Sequence, residues 1–295
     1  MGATKRLREL LRRDQPLVAA GAYDGLSARM AAQAGFEAIY ASGSSIAASL
    51  LGQPDVGLTT FTEMADQVRR MAAITDVPLV ADADTGYGSA VNVMRTVREY
   101  ERAGAAGLHI EDQVMPKKCG HFEGKALVPA EEMVGKVRAA IAAREDPDFL
   151  LIARTDARTV AGLPEAIRRA RMYVAAGADA IFVETPRSVD EYREIRRALP
   201  DTLLIADVTE GGKSPALSAA EYHGLGFQLV FFSASAIRAV MHTLGEFYAQ
   251  ARAEGTTHGL LPRIAGFEER NRILDLAGMQ ELDRRFSGTA AKERG

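Results

Sequence analysis

The 295-residue sequence contains one cysteine and no tryptophan, and only 6% of its residues are aromatic. A single cysteine excludes an internal disulfide, which is typical of proteins kept in a reducing compartment. The formal net charge of −3 gives no reason to expect a nucleic acid or an anionic membrane as a partner. No apolar run approaches the ~18 residues of a membrane span. Because Met1–Arg6 also lacks the apolar core of a signal peptide, we expect a cytoplasmic protein.

Short apolar runs recur along the chain and predict β-strands. Hydrophobic residues make up 47% of the sequence, enough for a sizeable core. Each run is nearly continuous rather than alternating, as expected for strands that are buried on both faces. The eight predicted strands are Leu17–Ala20, Ala38–Ala41, Leu79–Ala83, Gly107–Ile110, Phe149–Ala153, Ala180–Val183, Leu203–Ala206 and Leu229–Phe232.

Amphipathic segments separate these runs and predict helices. Several of them end in a glycine, as at Ala34-Gly35 and Ala176-Gly177, and glycine supplies the left-handed cap that ends a helix. The alternation predicts an α/β fold, a (β/α)₈ barrel of the TIM type. A doubly wound open sheet is disfavoured because no Gly-x-Gly-x-x-Gly follows the first strand. The predicted helices are Leu26–Ala34, Phe61–Ile74, Val91–Ala103, Ala130–Ala143, Pro164–Ala176 and Val189–Leu199.

Helical patterns continue beyond the eighth strand, over Ser235–Ala253 and Ile264–Phe286. We predict a barrel domain over residues 1–255 and a helical extension over residues 256–295. The extension exceeds what an eighth barrel helix requires. It either caps its own barrel or exchanges with a neighbouring subunit, and the residues alone favour neither arrangement.

The single cysteine lies in the segment Lys117-Lys118-Cys119-Gly120-His121. Neighbouring cations lower the pKa of a thiol, and we expect that effect here from Lys117, Lys118 and His121. Gly120 leaves room for a substrate to approach the sulfur. A small buried hydrophobe is the alternative role for the cysteine, although its charged neighbours make a poor apolar setting. The long connection that carries this segment predicts a lid over an active site.

Polar side chains follow most of the predicted strands, at the end where barrel enzymes place their catalytic groups. Carboxylates without a His/Cys cluster indicate Mg²⁺ or Mn²⁺ rather than zinc. Alternation places Asp82 and Asp84 on one face of the third strand, where they either bind a metal or cap the following helix. The polar strand ends are Tyr23-Asp24, Ser42-Gly43-Ser44, Asp82 with Asp84, Glu111-Asp112, Arg154 with Asp156, Glu184, Asp207 with Thr209, and Ser233.

Two of these strand ends have alternative interpretations. Ser42-Gly43-Ser44 is either an anion-binding loop, in which successive backbone N–H groups face the ligand, or a helix cap and turn. Arg154 either binds a substrate carboxylate or pairs structurally with Asp156. In both cases we favour the binding interpretation.

These motifs resemble those of the isocitrate lyase/phosphoenolpyruvate mutase superfamily. Lys117–His121 is similar to the signature of its carbon–carbon lyase branch, and Asp82–Gly88 and Gly107–Gln113 are similar to its metal-binding strands. The resemblance extends from about Gly21 to Ala251. It implies a barrel, usually a tetramer with exchanged helices, that binds Mg²⁺ and an α-oxo or α-hydroxy acid.

The resemblance also implies site residues, position by position. They are Asp82, Asp84 and Glu111 for the metal; Ser42, Gly43 and Ser44 for a substrate carboxylate; Arg154, Glu184, Asp207, Thr209 and Arg238 around the substrate; Cys119 and Gly120 on a gating loop; and Tyr40 and Asp55 elsewhere in the site.

Two differences bear on the subfamily. Methylisocitrate lyases typically follow Cys-Gly-His with Arg-Pro-Asn-Lys, whereas this chain has Phe122–Lys125. That version, with Glu210–Pro215, more closely resembles the 2,3-dimethylmalate lyases and the carboxyphosphonoenolpyruvate mutases. The superfamily usually has Asn where this chain has Asp207. A carboxylate there repels a substrate carboxylate unless it is protonated or offset by a cation.

The functional hypothesis is a Mg²⁺-dependent cleavage of a 2-hydroxy di- or tricarboxylate. Cys119 is expected to act as the general acid, and Tyr40 or a metal-linked carboxylate such as Glu111 as the base. Alternatives within enzymes are a phosphorylmutase that forms a P–C bond and an oxaloacetate hydrolase or decarboxylase. The alternative of another class is a metabolite-binding barrel without catalysis.

Overall fold

The computed structural model describes residues 2–287, and their strands form one closed parallel barrel. The last strand pairs with the first, with Leu17 opposite Leu229 and Ala20 opposite Phe232, so the sheet has no free edge. This arrangement confirms the predicted (β/α)₈ barrel. The strands are β1 Leu17–Ala22, β2 Ala38–Ala41, β3 Leu79–Asp82, β4 Gly107–Glu111, β5 Leu150–Thr155, β6 Ala180–Val183, β7 Leu203–Asp207 and β8 Leu229–Phe232.

Three strands have the predicted bounds, and most of the others continue further at their carboxyl ends. The apolar pattern stops at the first polar residue, but backbone pairing does not. Glu111 still pairs with Arg154, and Asp207 with Phe231. The strands therefore continue into the polar residues that sequence alone placed just beyond them.

The helices observed in residues 2–287 include several that the sequence did not predict, namely those over Ala3–Leu11, Gly43–Leu51, Ala157–Ala161 and Ala219–Gly224. Most of these are short or rich in small residues, so their amphipathic periodicity is weak. In order, the helices are α1 Ala3–Leu11, α2 Gly25–Gln33, α3 Gly43–Leu51, α4 Phe61–Ala72, α5 Ala90–Arg102, α6 Ala130–Ala143, α7 Ala157–Ala161, α8 Leu163–Ala175, α9 Val189–Ala198, α10 Ala219–Gly224, α11 Ser235–Glu254, α12 Phe267–Ile273 and α13 Leu276–Phe286.

The hydrophobic core has two layers. Inside the barrel, Tyr40, Val80, Phe182 and Phe231 pack together with Leu7 of α1, so the first helix contributes to the interior cluster. Outside the barrel, residues on the other faces of the strands pack against the surrounding helices. The strands are thus buried on both faces, which explains their near-continuous apolar sequences.

The chain divides into two compact units between Arg238 and Ala239, inside α11. In the second unit the pattern predicted as one helix over Ile264–Phe286 is broken. Asp275 adopts φ 57° and its side chain accepts a hydrogen bond from the Gly278 N–H at 3.2 Å, which starts α13 anew. The last part of the predicted extension, residues 288–295, lies outside the described residues. Among residues 2–287, none of the helices combines the length and apolarity that crossing a membrane requires.

Candidate active site

A cavity opens at the carboxyl ends of the barrel strands and collects most of the predicted site residues. Strand ends β2, β3, β5, β6 and β7 all contribute to its wall, as does the loop that follows β4. Its lining includes Tyr40, Ser42, Ser44, Asp55, Asp82, Lys117, Cys119, Gly120, His121, Arg154, Glu184, Asp207 and Thr209.

Asp82 ends β3 and is a strongly acidic carboxylate of the site. Its Oδ1 accepts the Asp84 N–H at 2.9 Å, and its Oδ2 accepts the Gly43 N–H at 3.2 Å. Burial alone would raise its pKa, but His109, Lys117 and Arg154 together lower that pKa to about 2. Asp82 is therefore a carboxylate ready to bind a cation at neutral pH.

Asp84 does not lie on the same strand as Asp82, contrary to the alternation argument. β3 ends at Asp82, and Asp84 adopts φ 47°, in the left-handed region. Its carboxylate lies 2.6 Å from the Lys117 ammonium, which also contacts Asp55 at 2.7 Å. Burial, opposed by Lys117 and reinforced by the charges of Asp82 and Asp55, raises the pKa of Asp84 to about 7.

The three predicted metal ligands fit a hard divalent cation in their chemistry. Oδ2 of Asp84 and Oε1 of Glu111 are buried without a hydrogen-bond partner, whereas Oδ1 of Asp84 lies against the Lys117 ammonium. The backbone joins the two residues, since the Glu111 N–H donates to the Asp84 carbonyl at 2.8 Å. Burial raises the pKa of Glu111 well above its ordinary value, against the lowering effect of Arg154. Unpartnered oxygen ligands of this kind suit Mg²⁺ or Mn²⁺.

His109 is a site residue that the sequence argument quoted but did not assign. Its Nε2 lies 2.8 Å from the Tyr40 hydroxyl, at the centre of the barrel. Burial lowers the pKa of His109 to about 4 and raises that of Tyr40 well above 10, so at neutral pH the pair is an uncharged imidazole and a protonated phenol. The sequence signal that could have identified His109 is its spacing from Glu111: residues two positions apart in a strand point to the same face of the sheet.

The Ser42 segment is a helix cap as well as a wall of the cavity. Ser42 precedes α3, and its hydroxyl accepts the Ser45 N–H at 3.4 Å. The hydroxyls of Ser42 and Ser44 lie 3.3 Å apart and both line the cavity. Gly43 lies against Asp82, where a Cβ atom would come within 2.5 Å of the carboxylate. The structure thus shows the helix cap, while anion binding by this segment stays a prediction.

The setting of Cys119 differs from the sequence expectation of a lowered pKa. Lys117 turns to Asp55 and Asp84, and the Lys118 ammonium donates to the carbonyls of Glu123 and Gly124 rather than facing the sulfur. Burial then raises the pKa of the thiol to about 11. Cys119 is thus a neutral thiol at physiological pH, a proton donor rather than a thiolate.

The connection between β4 and α6, which we call the Cys119 loop, packs next to Cys119 against the residues that follow β6 and end β7. A Cβ atom on Gly120 would lie 2.2 Å from Oε1 of Glu184, so only glycine allows this approach. His121, Glu184 and Asp207 each present one ligand-type atom, all within 4.8 Å of one another. One oxygen of Glu184 and one of Asp207 are buried without a hydrogen-bond partner. We call these three residues the acidic wall, after the carboxyl groups of Glu184 and Asp207.

Arg154 is the cation opposite this wall; its pairing with Asp156 is observed, and its binding of a substrate carboxylate stays a prediction. Its Nε and Nη2 donate to the Asp156 carboxylate at 2.9 and 3.1 Å. Its Nη1 lies 3.4 Å from Glu184, and its Nε lies 3.2 Å from Glu111. The guanidinium is therefore fixed by Asp156 while it still lines the cavity.

Arg238 was predicted near the substrate, but the structure places it elsewhere. Its side chain is half exposed and is held by Glu210, through the carbonyl at 2.6 Å and the carboxylate at 3.2 Å. This ion pair keeps the guanidinium out of the cavity lining, and a role for Arg238 at the substrate stays a prediction. Lys118, which was placed in the site through its motif, likewise contacts only its own loop and Gln113.

The sequence is similar to those of several characterised enzymes. The phosphoenolpyruvate phosphomutase family profile matches residues 7–252. A 2,3-dimethylmalate lyase from Eubacterium barkeri is 42% identical, with 97% of this chain and 99% of that protein covered. A 2-methylisocitrate lyase from Aeropyrum pernix is 43% identical over 97% and 91%, respectively. A chloroplastic carboxyvinyl-carboxyphosphonate phosphorylmutase from Arabidopsis thaliana is 42% identical over 96% and 84%.

Solved structures show the same likeness. An oxaloacetate acetylhydrolase in complex with 3,3-difluorooxalacetate superposes with a TM-score of 0.93 at 36% identity, covering 98% of both chains. A phosphonopyruvate hydrolase in complex with oxalate and Mg²⁺ gives a TM-score of 0.88 at 33% identity, covering 97% of this chain and 99% of that one.

Proposed function

The chain belongs to the phosphoenolpyruvate mutase/isocitrate lyase superfamily, and on that premise we propose that it is a Mg²⁺-dependent carbon–carbon lyase. Its substrate is a 2-hydroxy di- or tricarboxylate of the 2-alkylmalate or 2-methylisocitrate type. The products are pyruvate, or a related α-keto acid, and a second carboxylate. One observation carries the proposal: a half-buried thiol, whose pKa burial raises to about 11, lines the same cavity as Asp82 and Arg154.

The reaction is a retro-aldol cleavage. The substrate hydroxyl on C2 loses its proton to a base, and its oxygen becomes the keto oxygen of the α-keto acid. The C2–C3 bond breaks, and its electron pair is left on C3, where the adjacent carboxylate delocalises it as an aci-carboxylate. A proton from an acid then completes the second product. The site must supply one base, one acid and a means of holding two anionic ends.

Cys119 is the acid in this proposal. Because burial raises its pKa to about 11, the thiol carries its proton at neutral pH. An aci-carboxylate is a far stronger base than a thiolate, so this proton transfer is downhill. The His121 backbone N–H points to the sulfur and stabilises the thiolate that remains.

The base in this proposal is Glu111 rather than Tyr40. The phenol of Tyr40 has a pKa raised well above 10 by burial and by Asp82, so it holds its proton and donates a hydrogen bond instead. Glu111 has a buried oxygen without a hydrogen-bond partner, and its ionised form, which a bound cation would favour, can accept the proton.

Asp82, Asp84 and Glu111 would hold the metal, since they offer buried oxygen ligands. When bound, Mg²⁺ supplies Lewis-acid stabilisation of the negative oxygen on C2. Arg154 and the hydroxyls of Ser42 and Ser44 orient the carboxylate ends of the substrate. Glu184, Asp207 and Thr209 contact its far end.

Two other reactions remain candidates because relatives carry them out by name. A phosphorylmutase has no carbanion to protonate, so it does not need the Cys119 thiol. An oxaloacetate hydrolase would form oxalate and acetate. One screen separates these reactions: 2-alkylmalates, 2-methylisocitrate, oxaloacetate and a phosphonoenolpyruvate are each incubated with enzyme and Mg²⁺. Pyruvate release from an alkylmalate or from methylisocitrate supports the lyase. Turnover of only oxaloacetate or only the phosphonate contradicts it, and ligand binding with no turnover supports a silent barrel.

Assembly and location stay predictions. We propose a homotetramer in which the C-terminal helices are exchanged, located in the cytoplasm. The second unit supports the assembly because it exposes large apolar side chains, with Phe267 82% and Phe286 74% exposed.

A further inference from the structure

Lys125 is a buried charged residue whose role the cleavage chemistry does not explain. It lies on the Cys119 loop, yet its side chain is only 1% exposed. Its ammonium donates to Oδ1 of Asp156 at 2.7 Å and also to the carbonyl of Gly120. Lysine is almost never fully buried unless it is paired, so these contacts define its position.

The partner of Lys125 is the carboxylate that holds Arg154. Asp156 is fully buried, and both of its oxygens accept hydrogen bonds from the Arg154 guanidinium. Its backbone N–H donates to Asp112 at 2.9 Å. Asp112 in turn accepts hydrogen bonds from Tyr173 and Thr155, each at 2.7 Å. The Asp156 backbone is thus held by Asp112, and the Asp156 carboxylate is shared by the two cations Arg154 and Lys125.

The charges around Arg154 show what the second cation contributes. The guanidinium is within 3.4 Å of three carboxylates: Asp156, Glu111 and Glu184. Without Lys125, Asp156 would be neutralised by Arg154 alone. With Lys125 in place, Asp156 is shared, and the Nη1 edge of Arg154 keeps more of its charge for a ligand in the cavity.

The other lysines of the loop do not reach this carboxylate. Lys117 contacts Asp55 and Asp84, and Lys118 contacts the backbone carbonyls of Glu123 and Gly124. The hydrogen bond to Gly120 matters as well, because Gly120 is the residue that packs against Glu184. Lys125 therefore links the part of the loop that carries the acid to the residue that binds the substrate.

We propose that Lys125 is a positioning residue that couples closure of the Cys119 loop to the orientation and charge of Arg154. When the loop closes, the ammonium enters the site beside Asp156 and holds the Gly120 backbone in place. The inference rests on the proposed function for the roles of Arg154 and Cys119, but its geometry and its test do not require turnover.

The test replaces Lys125 with methionine, which has a similar length but no charge. Two quantities are measured: the affinity for oxalate in the presence of Mg²⁺, and the rate at which iodoacetamide alkylates Cys119. In the parent, oxalate with Mg²⁺ should slow alkylation strongly. In Lys125→Met, oxalate affinity should fall at least about tenfold, since Asp156 is then neutralised by Arg154 alone and the guanidinium keeps less of its charge for the ligand. The protection of Cys119 should also be lost.

A matched control comes from the same loop. Glu123 is 81% exposed and pairs with Lys213 at the surface, so Glu123→Gln should leave both quantities unchanged. Lys125→Arg keeps the charge and should restore most of the protection. Because Lys125 acts on Arg154 through Asp156, adding Lys125→Met to an Asp156→Asn variant should lower oxalate affinity little further.

Three results would overturn the proposal. They are parent-like oxalate affinity and Cys119 protection in Lys125→Met, additive effects of Lys125→Met and Asp156→Asn on oxalate affinity, and a Lys125→Arg variant that restores no protection. If the methionine variant does not fold, Asp156→Asn carries the test, and unchanged protection of Cys119 there would also overturn it. Because neither quantity requires turnover, a chain that lacks lyase activity can still support or refute the role of Lys125.

Discussion

Replacing Asp207 with asparagine should change how both stability and activity depend on pH. Asp207 ends β7 in the acidic wall, where Thr209 donates to one oxygen at 2.8 Å and the other oxygen has no hydrogen-bond partner. Burial and the neighbouring Glu184 raise its pKa from 3.8 to about 7, against the weaker lowering effects of the Ser233 and Thr209 hydroxyls and of Arg154. Asparagine keeps the shape and removes the titration.

The sign follows from the direction of this shift. The folded protein binds the Asp207 proton more tightly than the unfolded chain, so ionised Asp207 destabilises the fold. The cost is absent below pH 4, grows between pH 4 and 7, and is constant above pH 7. About three pKa units at 1.36 kcal/mol each give at most about 4 kcal/mol. The gain in stability of Asp207→Asn over the parent should therefore be about 2–3 kcal/mol larger at pH 8 than at pH 5.

Urea unfolding of both proteins at the two pH values measures this difference. The control is Asp201→Asn at an exposed position, whose stability relative to the parent should be the same at both pH values. Activity provides a second readout. Ionised Asp207 repels a substrate carboxylate, so kcat/KM of the parent for a dicarboxylate should fall up to about tenfold per pH unit above 7. The asparagine variant should lack this decline. The same stability difference at pH 5 and 8, with an unchanged pH profile, would refute the reasoning.

Two further predictions concern the metal and the assembly. After chelation, Mg²⁺ or Mn²⁺ should restore activity to the parent but not to Asp84→Ala, because Asp84 offers a buried oxygen, Oδ2, that has no hydrogen-bond partner; full activity of the parent in excess chelator would contradict the metal site. Light scattering should give the mass of four 31.7-kDa chains, because the second unit exposes many large apolar side chains, and a monomer at micromolar concentration would contradict the tetramer.

Much of the fold follows from local sequence signals. Buried strands such as Ala180–Val183 are continuous apolar runs, and glycines end several helices. The alternation of strands and helices that makes the barrel can therefore be predicted from the sequence. The break at Asp275 was missed because one residue with φ 57° interrupts a pattern that is otherwise helical. Helix α3 was missed because Gly43–Leu51 is rich in small residues and lacks a polar face.

Many residues of the site could be predicted from the sequence, but the ion pairs and hydrogen bonds between them could not. Strand ends identify Asp82, Arg154 and Glu184, because parallel strands deliver their carboxyl ends to one side. Which cation meets which carboxylate depends on long-range packing. The chain neighbours of Cys119 suggested a lowered pKa, whereas their side chains turn to partners distant in sequence. For the same reason the pairing of Lys125 with Asp156, 31 positions apart, has no local signal.

The central claim is that Cys119 protonates a carbanion, and Cys119→Ser tests it most directly. Serine keeps the size of the side chain but is far too weak an acid, and general acid catalysis contributes about 10²–10⁴-fold, or about 3–5 kcal/mol of barrier. With the best 2-alkylmalate or 2-methylisocitrate, pyruvate release should fall by that factor, while oxalate with Mg²⁺ should bind as it does to the parent, since Asp82, Asp84 and Arg154 are unchanged. Pyruvate release within a few-fold of the parent rate would contradict the account.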